Sequence, residues 1–449
     1  MTDTNSSTGA ERRARSRAAL RTGALALSAL ALAATTACGG GGTSSESGEV
    51  TELTYWSWTK GSAEAVEAFN KSHDDIQVNF EEIPSGVDGG YSKISDAMKA
   101  GNGPDVFNAE YVALPSFVAA GNVADITEKV DEDTLKGYDE QAVELATLGD
   151  KLWAVPYDVG VQTMFYRKDL FQKYGIEVPK TWDDFAAAAR KVAKEQPGVK
   201  LANLTVDDPA NLEAMTQQAG AQWFSTSGDT WKLGFNDEAT QKVEKYWQGL
   251  ADDKALSTAA SWSTGFNAEA SKGKVLTMLL ASWQAAYQAD TFPDHSGKWG
   301  VAPMPSWDGQ PASGVFGGST YAVSKEAADV DAAVEFSTWM TSNEDAITPR
   351  MGDGTSSAYV VNKDAREVAK KSFKADYYGD LDVYGIFEES ASGLQPVTFG
   401  PTMLSMNKTL GDELKKFGHG GTLAEAIAAA EASAQREMSG QGLNVEAQD

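Results

Sequence analysis

Short apolar runs alternate with amphipathic segments along most of the chain. Residues 53–58 predict a buried strand, because the run is short, rich in aromatic residues and followed by a Lys-Gly pair. Apolar residues at helical spacing then predict a helix that begins at Ser62, a good N-cap residue, and ends near Asn70. Strict alternation over 76–80 predicts a second strand.

The same pattern continues into a third strand. A helix predicted over 91–99 leads through a Gly-Pro turn into a strand at 105–107. Asp105 follows that turn, and we interpret it as a structural turn residue rather than a ligand. Strand–helix–strand units of this length imply parallel pairing with right-handed crossovers, so the predicted fold class is α/β.

Three later segments are typical of helices. A capping-box-like Thr-Trp-Asp-Asp start predicts a helix over 181–192. Spaced apolar residues predict another over 334–340, and an Ala/Glu-rich segment predicts a C-terminal helix over 422–438.

The first fifty residues have the composition of an export signal and a tether. Five arginines precede an apolar stretch at 24–34, which is the layout of a secretory signal peptide covering 1–37. Cys38 follows Thr-Thr-Ala, which resembles a bacterial lipobox, and a Gly/Ser-rich spacer extends to about residue 50. We therefore expect a palmitate-bearing lipoprotein held at the extracytoplasmic face of the cell membrane by Cys38. The alternative is a plain secretory signal with an incidental cysteine.

Composition narrows the function further. The 449 residues carry 38 Lys plus Arg against 64 Asp plus Glu, a formal net charge of −26, which argues against nucleic acid as a partner. One cysteine and three widely separated histidines exclude a disulfide framework and a multi-thiolate zinc site. We expect no metal and no cofactor.

Catalytic signatures are missing from the sequence. It contains no HExxH, CxxC, GxSxG, GxGxxG or GxxxxGK[ST] motif, so no enzyme is predicted. A secreted glycoside-active enzyme stays open as an alternative, because a glycosidase needs only two carboxylates and this chain is rich in acids.

Aromatic residues carry the positive signal. A sugar site stacks an aromatic ring on the apolar face of the sugar and surrounds it with polar hydrogen-bonding groups. Polar companions accompany aromatics in three segments, 108–111, 156–158 and 316–319. The alternative for any one tryptophan is a core position, which we expect for Trp182, Trp247 and Trp339. Other tryptophans adjoin predicted loops: Trp58, Trp223, Trp262, Trp283 and Trp307.

These segments, in this order, resemble a family 1 extracellular solute-binding protein, the sugar receptor of an ATP-binding-cassette importer. The resemblance covers nearly the whole chain after the signal. The matching segments are 53–70, 103–107, 151–158, 165–171, 179–185, 273–283 and 299–305 followed by 317–319.

The resemblance implies a two-lobed, periplasmic-binding-protein-like fold with a ligand cleft between the lobes. Three hinge crossings are expected near 158–162, 302–305 and 342–347. Lobe 1 would then comprise 51–158 and 304–343, and lobe 2 would comprise 159–303 and 344–449.

Motif positions imply roles for individual residues. Trp58 would pack on the ligand, Glu110 would accept sugar hydroxyls, and Trp283 would stack on a ring from lobe 2. Tyr157 and Asp158 would bind from the first crossing. The other expected ligand-binding residues are Gly317, Gly318 and Ser319 with the neighbouring Phe316, and, from loops of lobe 2, Trp223 and Arg350.

The expected function is capture of a carbohydrate, as a di- or oligosaccharide, by a monomeric receptor that delivers it to membrane permease subunits served by a cytoplasmic ATPase. A receptor for a non-sugar solute is the remaining alternative.

Overall fold

The computed structural model describes residues 50–447, apart from Trp262 and the side chain of Asp353. The predicted signal peptide, Cys38 and the predicted tether therefore lie outside the described residues, except for Val50.

Strands in the described part of the chain fall into four sheets. Their bounds are β1 (Thr51–Ser57), β2 (Ile76–Glu82), β3 (Val106–Glu110), β4 (Thr147–Leu148), β5 (Lys151–Leu152), β6 (Ala154–Pro156), β7 (Gln162–Arg167), β8 (Phe224–Ser227), β9 (Thr230–Leu233), β10 (Thr277–Ala281), β11 (Trp299–Pro303), β12 (Ser319–Val323) and β13 (Asn444–Ala447).

Helices surround these sheets. Within the described residues they are α1 (Ser62–Ser72), α2 (Tyr91–Lys99), α3 (Leu114–Ala119), α4 (Glu132–Lys136), α5 (Glu140–Leu145), α6 (Lys168–Tyr174), α7 (Trp182–Glu195), α8 (Pro209–Gln218), α9 (Glu238–Asp252), α10 (Thr264–Ser271), α11 (Gln284–Thr291), α12 (Val330–Ser342), α13 (Glu344–Met351), α14 (Lys363–Ser372), α15 (Val383–Ser392), α16 (Met403–Leu414) and α17 (Leu423–Gly440). None of the described helices is both long and apolar enough to cross a bilayer.

The first sheet has the described strand order β2-β1-β3-β12-β6. Strand β1 pairs in parallel with β2 and β3, which confirms the parallel pairing predicted for the first three strands. Strand β12 is antiparallel to both β3 and β6. The second sheet, β10-β7-β11, is wholly antiparallel, so the parallel pairing does not extend to it.

The predicted elements occur close to their expected bounds. Helix α2 matches its prediction, and the capping box predicted at Thr181 is formed; the structure adds a second one at Thr422. Helix α7 continues past Val192 to Glu195. Strand β3 runs on to Glu110, because β12 pairs with it from Ser319 onward. These differences arise because strand pairing depends on distant residues and because helix ends are poorly predicted from local sequence.

The aromatic core residues are placed as expected. Trp182 and Trp247 are buried, with ring centroids 5.5 Å apart. Trp339 is half-buried and packs edge-on against Phe69 at 5.2 Å.

The chain passes twice between the first and the second sheet. It leaves the first sheet after β6 and enters the second at Gln162, the first residue of β7. It returns through the segment between β11 and β12, residues 304–318.

The segment expected to form the third crossing packs beside the first sheet. Helix α13, which covers most of the crossing expected at 342–347, packs against α1 and α12 beside the first sheet. Its approach is close, because a Cβ on Gly61 would lie 2.6 Å from the carbonyl oxygen of Pro349. The 3-10 helix Ala375–Tyr378 then contacts β11, and α15 packs on β7 and β11. After β12, helices α12, α13 and α14 therefore pack on one another before the chain packs on the second sheet again. The expected start of lobe 2 at residue 344 stays a prediction.

Asp105 is a structural residue, as predicted. Its carboxylate accepts hydrogen bonds at 2.7 Å from the backbone N–H and the hydroxyl of Thr54, and a third from the N–H of Ala328. One side chain thus ties β1, the start of β3 and the loop before α12 together.

We expect Asp105→Ala to lower the free energy of unfolding by about 1–3 kcal/mol, because it leaves three donors without their acceptor. Chemical denaturation measures this. Asp96→Ala, on the exposed face of α2, is the control and should change stability by at most about 0.5 kcal/mol. Equal effects of the two substitutions would contradict the structural role.

Candidate ligand-binding cavity

A cavity of about 500 Å³ lies between the two main sheets. Its first wall forms where the carboxyl ends of β1, β3 and β6 meet the amino end of the antiparallel β12. Ligands bind at such strand ends in open α/β sheets. Eight predicted site residues line the cavity: Trp58, Glu110, Tyr157, Asp158, Trp283, Gly317, Gly318 and Ser319.

Glu110 ends β3 and is held by a tyrosine beneath the cavity wall. The hydroxyl of Tyr91 donates to Glu110 Oε2 at 2.6 Å, and the Tyr91 ring meets Trp58 edge-to-face at 5.7 Å. Burial raises the pKa of Glu110, and the hydrogen bond from Tyr91 partly opposes that rise. The arrangement fixes one carboxyl and one indole side by side.

Asp158 lies on the cavity floor just after β6. It is 7% exposed, and its Oδ1 accepts a 2.8 Å hydrogen bond from the backbone N–H of Ser319. Burial raises the pKa of Asp158 to about 7 against the opposing hydrogen bond from Ser319; nearby Glu110 adds to the rise and Arg350 opposes it. A ligand hydroxyl donating to this carboxyl would favour its ionised form.

The glycine pair after Phe316 allows the loop before β12 to pass close to the first crossing. Gly317 and Gly318 have φ values of +78° and +104°, which glycine adopts at little steric cost. A Cβ on Gly318 would lie 2.7 Å from the carbonyl oxygen of Asp158. Both glycines were expected to bind ligand and both line the cavity, but at Gly318 the first crossing fills the space that a side chain would need.

Trp283 lines the cavity from the second lobe. Its indole N–H donates to the carbonyl oxygen of Phe316 at 2.9 Å, and its ring meets that of Phe316 edge-on at 5.3 Å. Phe316, which was expected at the ligand, is buried, does not line the cavity and supports Trp283.

Arg350 is also absent from the cavity wall. The side chain is fully buried, donates to Tyr321 Oη at 2.7 Å, and places its guanidinium carbon 4.3 Å from the centroid of the Tyr157 ring. It reaches these groups because α13 packs with the first lobe. Arg350 therefore lies behind the floor residues and does not extend into the cleft from the second lobe.

Trp223 is a core residue of the second lobe. Its ring stacks on Phe235 at 4.6 Å and its N–H donates to Thr240 Oγ1 at 2.9 Å. It does not line the cavity, because the β8–β9 hairpin turns it inward.

The structure adds lining residues that the sequence analysis missed. Asn203 Nδ2 donates to Ser261 Oγ at 2.6 Å, and Ser261 Oγ donates to Thr205 Oγ1 at 3.1 Å. This chain of polar groups faces the cavity from the second lobe. Lys60 and Tyr287 line it as well. Loop Asn, Ser and Thr residues are common, so no sequence signal separates these from others.

The cavity offers carboxyl, amide and hydroxyl groups between two indoles, which suits binding of a polyhydroxylated solute. Within residues 50–447, no three His, Cys, Asp or Glu side chains are grouped as metal ligands would be.

Asp158 makes stability depend on pH. The folded protein holds this proton up to about pH 7, whereas the unfolded carboxyl loses it near 3.8, so Asp158 lowers stability as the pH rises between those values. Asp158→Asn keeps an acceptor for Ser319 and has no proton to lose. The free energy of unfolding, measured by urea denaturation, should therefore fall less steeply between pH 4.5 and 7.5 for the variant than for the wild type.

The control is Asp96→Asn on α2, which should retain the wild-type slope. An Asp158→Asn slope equal to the wild-type slope would contradict the burial of the acid. Some slope will remain, since burial also raises the pKa of Glu213, to about 8.

Comparison with known proteins identifies relatives of the same architecture. The arabinooligosaccharide-binding protein of Bacillus subtilis is 27% identical over 321 residues, covering 69% of this chain and 73% of the relative. The lactose-binding protein of Rhizobium radiobacter is 25% identical over 305 residues, covering 64% and 69%.

Solved structures agree in fold. An ABC-transporter-associated binding protein from B. animalis subsp. lactis Bl-04, in complex with β-1,6-galactobiose, superposes with a TM-score of 0.76 at 26% identity, covering 89% of this chain and all of that one. The galacto-N-biose-/lacto-N-biose I-binding protein of Bifidobacterium longum, with lacto-N-biose, gives 0.78 at 24% identity and the same coverage. The family described as bacterial extracellular solute-binding protein matches residues 55–347, and this two-lobed chain belongs to that family.

Proposed function

We propose that this protein is the extracytoplasmic receptor of an ATP-binding-cassette importer and captures a di- or oligosaccharide in the cavity. One observation carries the proposal: Trp58 of the first lobe and Trp283 of the second line the same cavity as Glu110 and Asp158. Indoles suit the apolar faces of sugar rings, and carboxyl groups accept hydrogen bonds from their hydroxyls.

The relatives support the solute class. Their names assign arabinooligosaccharides, lactose and galactooligosaccharides to them, and the two solved structures hold disaccharides. Membership of this family also supports delivery to permease subunits in the membrane.

The charge of the cavity favours a neutral solute. Asp88, Glu110 and Asp158 line it, and Lys60 is the one Lys or Arg among its described lining residues. An anionic solute such as a sugar phosphate would meet three acidic side chains and a single lysine. We therefore place a neutral saccharide ahead of a charged non-sugar solute.

Capture works through the two lobes. A saccharide that contacts both walls stabilises the closed arrangement by the difference between its affinities for the closed and open forms. No bond in the solute needs to break. The closed monomer then presents one surface formed by both lobes to the permease.

Isothermal titration calorimetry against arabino-, galacto- and gluco-configured mono-, di- and oligosaccharides tests the proposal. We expect a di- or oligosaccharide to bind while remaining intact in the recovered mixture. Binding by none of them, or hydrolysis of one, would overturn the proposal, the latter in favour of a glycoside-active enzyme.

Trp283→Ala should weaken saccharide binding by about 1–3 kcal/mol, because it removes the ring that closes the cavity from the second lobe. Trp231→Ala, a half-buried tryptophan on β9 outside the cavity, is the matched control and should bind as the wild type does. Unchanged affinity together with lowered stability of Trp283→Ala would make this residue part of the core.

We further propose that Cys38 carries the lipid anchor, after removal of residues 1–37. Cys38→Ser should release the exported protein from the membrane fraction into the medium, because serine lacks the thiol to which the lipid is attached. Immunoblotting of both fractions measures this. Retention of the variant on the membrane would contradict the lipoprotein assignment and leave another mode of attachment.

A further inference from the structure

Helix α11 carries a stripe of residues along one wall of the cavity. Trp283, Tyr287 and Thr291 all line it, and they are spaced four residues apart. Trp283 is the N-cap residue but already has helical backbone angles, φ −60° and ψ −20°. Side chains at this spacing share a helix face, and each step advances about 6 Å along the axis. The stripe therefore runs as one continuous wall.

The two aromatic residues of the stripe differ in exposure. Trp283 is half-buried and its N–H is bonded to Phe316, whereas Tyr287 is 46% exposed while still lining the cavity. The stripe thus passes from the enclosed part of the cavity to its mouth. The Tyr287 ring therefore lies at the mouth of the cavity, outside its enclosed part.

A lysine from the first lobe covers this ring in the structure. Lys60 Nζ lies 5.2 Å from the centroid of the Tyr287 ring and 3.5 Å from Asp290 Oδ2 on the same helix. The Lys60 and Asp290 side chains are 52% and 65% exposed, so water and salt screen their attraction. Such a contact is weak enough for a solute to displace.

We propose that Tyr287 is an outer stacking platform, covered by Lys60 when vacant, that extends the binding site beyond the cavity to the third and later units of a longer saccharide. This inference rests on the proposed function, because it concerns the length of saccharide that the same cavity accepts. It makes Tyr287 a residue that determines chain-length specificity, separate from the enclosed rings Trp58 and Trp283.

Titration calorimetry with arabino- and galacto-oligosaccharides of two to five units tests this inference. The wild type should bind the four-unit member of a series more tightly than its two-unit member. Tyr287→Ala should lose about 2- to 12-fold in affinity for the four-unit saccharide, the range expected for one aromatic stacking contact, and less for the two-unit one. Tyr287→Phe should retain the length preference, since it keeps the ring.

The control is Tyr174→Ala on α6, where Lys173 Nζ lies 5.1 Å from the ring centroid away from the cavity. It should leave both affinities unchanged. Binding of two-unit saccharides with no gain at four units, or equal losses for both lengths in Tyr287→Ala, would overturn the platform and leave the receptor function standing. Loss of the length preference in Tyr287→Phe would also overturn stacking. Failure of every saccharide to bind the wild type would overturn both proposals.

Discussion

The close approach of two backbone segments at the hinge is the constraint on which the site depends. The first crossing lies so near the loop before β12 that a Cβ on Gly160 would be 1.8 Å from the carbonyl oxygen of Phe316. Gly318 faces the same crossing under the same restriction. The Ser319 N–H then reaches Asp158, and the Phe316 carbonyl reaches Trp283. Floor and aromatic wall are therefore positioned by one backbone contact.

Electrostatics around that floor follow from burial. Burial disfavours ionisation of both Asp158 and Glu110, and the nearby Glu110 adds to the raised pKa of Asp158. The fully buried Arg350 lies behind Tyr157 and supplies a compensating positive charge without entering the cavity. A neutral, hydroxyl-bearing solute suits this arrangement, because its hydroxyls can form hydrogen bonds with these carboxyl groups.

Local sequence patterns predicted much of the fold for identifiable reasons. The aromatic run before Ser57 and the alternation after Ile76 belong to strands in which buried and less buried side chains alternate. Such alternation is visible in the residue types of consecutive positions, so the sequence predicts it. The capping box at Thr181 is likewise local. The position of α13 was not predictable in this way, because its packing on α1 joins segments almost three hundred residues apart.

The sequence by itself determined the α/β elements, the acidic character and the positions of Trp58, Glu110, Asp158 and Trp283, since each follows or ends a segment with a clear pattern. Only the tertiary structure decided which candidate side chains face the cavity. Trp223 and Arg350 are buried away from it, whereas Tyr287 lines it. The reason is physical: side-chain direction at the end of an element depends on what packs against it, and those partners come from distant parts of the chain.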